Sequence, residues 1–264
     1  MLAPVTLPLE YLAWNRQWGA PYGYSTQGYV PYRLRLHPWA SRFVGMFAFQ
    51  SNNSSRRWEY AWAWDRGNIR PGLRCLDLGA GHSGFPFALA RAGAESWVVD
   101  PFLDYGGSDH YGADPAAMVQ KMNRAFHTDV KVVHGTIDDV GLPPGSVDRI
   151  FCLSALEHMP PDATQAIAQA AQRLLRPQGR FIATIDLFLN ISPFTTRHRN
   201  RFGTNMDVRA FVEATGLRLI EGTPAELVGY AEFDADSIQS RLETFSVTVP
   251  YPVLTQCLVV EASA

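Results

Sequence analysis

The segment Leu76-Asp77-Leu78-Gly79-Ala80-Gly81-His82-Ser83-Gly84 carries glycines at the spacing of a GxGxxG turn. Glycine permits the tight reversal, lets backbone approach a ligand, and allows the following helix to pack closely. Asp100 ends the next apolar run, 21 residues after Gly79. A carboxylate there can accept hydrogen bonds from both hydroxyls of a ribose. An apolar run precedes the glycines and a helical pattern follows them. Arg74–Asp100 therefore reads as a strand–turn–helix–strand unit that holds an adenosine-containing cofactor, and the chain as an enzyme that depends on it.

Two cofactor classes use such a turn, NAD(P) and S-adenosylmethionine (SAM). Asp77, two residues before the first glycine, bears on the choice. A carboxylate would repel the pyrophosphate of a dinucleotide, whereas it can accept a hydrogen bond from the methionyl ammonium of SAM. Asp77 thus favours SAM. An NAD(P)-dependent oxidoreductase is the alternative that the glycines alone leave open, and a non-catalytic SAM-binding protein is a third.

Other groups with chemical capacity come later. His158, beside Glu157, can take a proton near neutral pH, or the pair can brace the loop before Pro160-Pro161. Asp186, in Thr184-Ile185-Asp186-Leu187-Phe188, can bind substrate or a metal, or cap the loop leading to Pro193. His82 suits bracing of the glycine turn. His198 sits in the basic stretch Thr195–Arg201, which faces either an anionic group or solvent. Asp104, Asp109 and His110 share one glycine-rich loop and form a weak constellation. Arg56, Arg57 and Tyr60 are candidate substrate-binding residues, because a guanidinium neutralises a carboxylate or phosphate. The three cysteines, Cys75, Cys152 and Cys257, are far apart in apolar runs. No Cys/His spacing suits a metal, so none is expected, and buried free thiols are.

These residues need elements to position them. Leu73–Leu78, Trp97–Val99, Val130–Val133, Val147–Leu153, Arg180–Leu187, Leu217–Glu221 and Leu254–Glu261 read as strands. Helical patterns cover Pro86–Ala92, Ala113–Phe126, Asp162–Leu175 with Asp162 as N-cap, and Asn205–Thr215 ended by Gly216. Strands alternating with helices imply a doubly wound, mostly parallel α/β sheet, with ligands at the carboxyl ends of the strands.

Composition shifts near Arg70-Pro71-Gly72. Six of the seven tryptophans and six of the ten tyrosines lie at or before Trp64. Residues 1–64 hold six arginines against Glu10 and Glu59, a local +4, so the remainder carries −6 of the net −2. Residues 1–70 read as an aromatic-rich lid or substrate wall, and 71–264 as the cofactor-binding domain. The segment Tyr230–Pro250 is an insertion that adds a second wall or an oligomer contact, which leaves a homodimer open. The near-zero net charge argues against nucleic acid as a partner. No apolar stretch is long enough for a membrane span and no secretory leader is evident, so a cytoplasmic protein is expected.

Five segments carry a family resemblance. Cys75–Gly93 resembles the first motif of the class I SAM-dependent methyltransferases, and Trp97-Val98-Val99-Asp100-Pro101 the second. His134–Asp139 with Pro143–Asp148 resembles their third-strand segment, and Ile150–His158 with Pro160 and Asp162 their fourth-strand motif. Leu174–Arg180 is similar to their leucine–proline–glycine approach to strand five. The resemblance spans about residues 72–263. It implies a seven-stranded Rossmann-like fold and methyl transfer from SAM, leaving S-adenosylhomocysteine. It also implies that Gly79, Ala80 and Gly81 flank the methionyl portion. Asp100 would hold the ribose, with Pro101 and Phe102 beside the adenosine. Thr136 and Ile137 would edge the adenine, and Ser154 would reach the methionyl end through its backbone. Many relatives carry an acid at the Thr136 place; here Asp138 or a backbone NH and carbonyl takes that part. His158 and Asp186 are the catalytic candidates. The expected reaction is methylation of an O or N atom of a small molecule, in specialised metabolite biosynthesis.

Overall fold

The computed structural model describes residues 1–21, 45–49, 53–103, 114–248 and 251–264. Asp104, Asp109 and His110 lie outside them. Seven strands form one sheet: β1 (Arg74–Leu78), β2 (Glu95–Asp100), β3 (Lys131–His134), β4 (Val147–Leu153), β5 (Leu175–Phe188), β6 (Arg218–Glu221) and β7 (Val253–Glu261). Their order is β3-β2-β1-β4-β5-β7-β6. Strand β1 runs parallel to β2, β2 to β3, and β4 to β5, while β7 is antiparallel to both β5 and β6. The helices are α1 (Leu9–Trp18), α2 (Arg56–Gly67), α3 (Phe85–Arg91), α4 (Pro115–Phe126), α5 (Pro161–Leu174), α6 (Val208–Thr215) and α7 (Ala235–Ser240). All seven predicted strands form. Every residue of β4 is buried, as expected for a parallel strand covered on both faces. The three cysteines are buried free thiols.

Two helix starts differ from the sequence reading. Asp162 does not cap α5: Pro160 is the N-cap and Pro161 the first helical residue. The fixed φ of proline suits that first position, so the helix begins one residue earlier. Asp162 sits within the first turn, where its charge still favours the helix dipole. Asn205 does not open α6 either. Asp207 caps it, accepting from the Ala210 N–H at 2.9 Å. Asn205 instead clamps the end of β5, accepting from the Phe188 N–H at 2.7 Å and donating to the Phe188 carbonyl at 3.1 Å.

The chain divides into two compact units, residues 8–141, and residues 1–7 with 142–264. In the first, α1 and α2 pack through aromatic rings: Tyr11 on Trp58 at 5.0 Å and Trp14 on Trp64 at 5.6 Å. The Asn15 side chain donates to the Arg57 carbonyl at 2.8 Å. Tyr60 stacks on Phe85 at 5.8 Å, which ties α2 to the first turn of α3. The described aromatics of the N-terminal region thus form a buried layer, with Trp58, Tyr60 and Trp62 all enclosed. In the second unit, residues 1–3 bridge to β7, the Ala3 N–H donating to the Thr255 carbonyl at 2.9 Å. Among the described residues no helix is long and apolar enough to cross a membrane.

Candidate functional site

The unit of residues 8–141 builds the glycine turn. Gly79 and Gly81 have φ of 67° and 54°, in the left-handed region that favours glycine. Gly84 precedes α3 with ordinary dihedrals, and its requirement is spatial: a Cβ there would meet the Met46 carbonyl carbon at 2.7 Å. Ser83 accepts from the Phe85 N–H at 3.1 Å and donates to the Tyr60 hydroxyl at 3.3 Å. The N-terminal layer therefore touches the turn directly. Burial pushes the Tyr60 phenol up, opposed by Arg56 and the Ser83 hydrogen bond.

Asp100 closes the turn. Its Oδ2 accepts from the Gly81 N–H at 2.8 Å and its Oδ1 from the Phe102 N–H at 2.5 Å. Each carboxylate oxygen keeps further acceptor capacity for a ribose hydroxyl. Burial raises the Asp100 pKa, against those backbone donors and His134. Pro101 follows at the end of β2, and Phe102, at φ 51°, packs against His82 at 5.8 Å and His134 at 5.5 Å. His82 is itself buried and hydrogen bonded to the Pro115 backbone, consistent with a bracing role; burial lowers its pKa.

Asp77 is 2% exposed. Burial holds its carboxyl well above the ordinary 3.8, Arg56 opposes that shift, and Asp100 adds to it. Arg56 is itself engaged: its Nη1 lies 2.6 Å from Oε2 of Glu59, a carboxylate with no solvent exposure, and Ser55 donates to the other Glu59 oxygen at 2.7 Å. Arg56 also lies 5.5 Å from the centre of the Tyr60 ring. Arg57, half-buried, has its carbonyl taken by Asn15. The sequence reading missed Glu59 as a partner of Arg56, although the i,i+3 spacing on one helix face was its signal.

Thr136 caps a short 3-10 turn, Ile137–Val140, in a capping box with Asp139. Asp139 Oδ2 accepts from the Thr136 N–H at 2.7 Å and from its hydroxyl at 2.9 Å, which lowers the Asp139 pKa. Ile137 is buried and Asp138 exposed. Asp139 is therefore occupied in shaping the loop, and of the neighbouring acids Asp138 stands outside that box.

The unit containing residues 142–264 gathers Ser154, Glu157, His158 and Asp186 after β4 and within the end of β5. Ser154, at φ 47°, donates its N–H to the Thr184 carbonyl at 2.9 Å, and its hydroxyl lies 3.5 Å from Asp186 Oδ1. The Asp186 N–H donates to Glu157 Oε1 at 3.0 Å. One donor atom each from Glu157, His158 and Asp186 all lie within 4.8 Å of one another, a set that could hold a cation although the spacing in sequence suggested none. Both catalytic candidates thus share one cluster with Glu157.

The methyltransferase-domain family matches residues 76–183. The ubiquinone biosynthesis O-methyltransferase of Xanthomonas campestris is 30% identical over 118 residues, 44% of this chain and 44% of that protein. The chain thus spans less than half the length of that curated relative. The YcgJ protein of Bacillus subtilis superposes with a TM-score of 0.54 at 13% identity, covering 78% of this chain and 98% of that one. The phosphoethanolamine N-methyltransferase 2 of Haemonchus contortus, in complex with phosphomonomethylethanolamine and S-adenosylhomocysteine, gives 0.53 at 16% identity, covering 89% and 61%. The strand order and the glycine turn agree with the methyltransferase-domain match over residues 76–183.

Proposed function

We propose that this protein is a SAM-dependent methyltransferase that methylates a hydroxyl oxygen of a small molecule. The observation that carries the reading is the buried Asp77 carboxylate behind the Gly79–Gly81 turn, with Asp100 closing that turn. The cradle fits the cofactor. A desolvated acid is stabilised in its charged form by a cation, and the methionyl ammonium is one. A dinucleotide pyrophosphate would make the same carboxylate more costly, which weighs against an oxidoreductase. SAM, when bound, supplies a methyl carbon already activated on a sulfonium.

Asp77 would hold the amino group, Asp100 the ribose, and Phe102 with Ile137 the adenine surroundings. Gly79, Ala80, Gly81, Pro101 and Thr136 complete the cofactor set of this unit. An imidazole nitrogen of His158 takes the acceptor proton as the new bond forms, and Asp186 with Glu157 positions that acceptor. Arg56, Arg57 and Tyr60 would wall the site on the side of the N-terminal layer. Oxygen is favoured over nitrogen because the matched relative is an O-methyltransferase and because a base stands among carboxylates. The relatives named for ubiquinone biosynthesis make a phenolic acceptor one class to assay alongside specialised metabolites.

Calorimetric titration with SAM, S-adenosylhomocysteine and NADH tests the cofactor, and labelled SAM with metabolite extracts then tests the acceptor. Tight NADH binding without SAM binding would overturn the reading.

A further inference from the structure

Arg201 sits in the corner formed by two rings. Its guanidinium carbon lies 4.5 Å from the centre of Phe202 and 4.2 Å from that of Tyr251. Those rings meet edge to face at 4.9 Å, and Phe202 stacks on Phe188 at 5.8 Å and 6°. Phe202 packs on the buried cluster of Phe188, Ile191 and Val253. The loop is held as firmly. The Asn200 N–H donates to the Gly203 carbonyl at 2.9 Å, the Phe202 N–H to Asn200 Oδ1 at 2.8 Å, and the Asn200 side chain to Asn190 Oδ1 at 3.1 Å.

A guanidinium held over an aromatic ring keeps N–H groups for an acceptor. Among the described residues, the side chains of Arg197, Arg199 and Arg201 make no ion pair, although all three are exposed in a stretch of five positions. Unmatched charge on a braced loop is the arrangement of a preorganised oxyanion site. The same Phe202 ring lies 6.1 Å from His158. One side chain therefore connects the cationic clamp to the Glu157–His158–Asp186 cluster.

We infer that Arg201, held by Phe202 and Tyr251, captures an oxyanion, a carboxylate or phosphate, on the acceptor molecule, and so selects acidic acceptors over neutral ones. The inference rests on the proposed methyl-transfer reading for what the ligand is. Arg201 is a specificity-determining residue in it, and Arg197 and Arg199 supply a screened attractive field.

Benzoate, phenyl phosphate and neutral benzamide are the probes, titrated against the full chain by calorimetry. The wild type should bind at least one of the two anions at least tenfold more tightly than benzamide, a difference of about 1.4 kcal/mol. R201Q should remove that preference and leave benzamide binding unchanged, R201K should retain only part of it, and the distant R209Q should behave as wild type. Raised salt should weaken the anions alone. Equal affinity for benzoate, phenyl phosphate and benzamide, no binding of either anion, or an anion preference that survives R201Q overturns the inference. SAM titration of the same samples separates the two failures: wild type and R201Q that both bind SAM leave the methyltransferase reading standing, and loss of SAM binding in the wild type sinks that reading instead. Thermal unfolding of R201Q confirms that a lost preference is not a lost fold.

Discussion

Asp77→Asn should weaken the cofactor and strengthen the empty protein. The side chain is 2% exposed, and burial raises its pKa well above the ordinary 3.8. Asparagine keeps the shape and removes the charge. A hydrogen bond to a charged group contributes about 1.5–3 kcal/mol. At about 1.4 kcal/mol per decade, the loss corresponds to roughly a 10- to 150-fold rise in Kd for SAM. S-adenosylhomocysteine carries the same amino group and should weaken equally. The ligand-free protein should respond in the other direction. A carboxyl whose folded pKa is raised contributes stability that is full below its unfolded pKa and is lost as pH climbs through the folded value. Wild type should therefore lose this component on going from acid toward alkaline pH, and D77N should not. Arg56 opposes the shift and so limits its size. Cofactor binding should also release a proton where Asp77 is protonated in the free protein. That release makes the binding heat depend on the buffer's ionisation enthalpy in wild type and not in D77N. The assays are calorimetry in paired buffers and thermal unfolding across pH. D77N that binds SAM within about threefold of wild type, or that unfolds earlier at neutral pH, would refute the reasoning.

Three further perturbations follow from the geometry. His158→Gln should lower turnover by roughly 10²- to 10⁴-fold in a labelled-methyl assay while SAM affinity stays unchanged; full turnover would leave His158 as a brace for its loop. Arg56→Gln removes the charged partner of Glu59, a carboxylate with 0% exposure that also accepts from Ser55. Denaturant unfolding should show a loss of about 3–5 kcal/mol, much of it recovered when Glu59→Gln is added. Gly84→Ala places a Cβ 2.7 Å from the Met46 carbonyl carbon and 2.8 Å from the Phe47 ring, and should destabilise by about 1–3 kcal/mol in the same measurement.

The fold was legible because its signals are local. Short, largely apolar runs such as Val147–Leu153 and Leu254–Glu261 read as strands by their length, and the glycines of the turn stand where backbone must reverse. Boundaries were less legible where two local signals compete. Pro161 and Asp162 both suit the first turn of α5, and proline's fixed φ set the start. Asn205 and Asp207 both suit a cap; Asp207 took it because Asn205 has a backbone partner on β5, distant in sequence.

The site divides along the same line. The identity of the turn residues, the acid ending β2 and the carboxylate at position 77 follow from sequence, because spacing along one strand and one turn places them. The sequence alone also brought His158 and Asp186 forward as candidates. Tertiary structure decided what those groups touch. It gave Asp100 two backbone donors, buried Glu59 against Arg56, set Asp139 on Thr136 and brought Glu157, His158 and Asp186 within 4.8 Å. Apart from the helix-spaced Arg56–Glu59 pair, the local Asp139 cap, the Phe102 donor to Asp100 and the adjacent Glu157 and His158, these contacts join residues far apart in the chain. Burial then decides their charge, because desolvation is a property of everything packed around a group and not of the residues beside it in sequence.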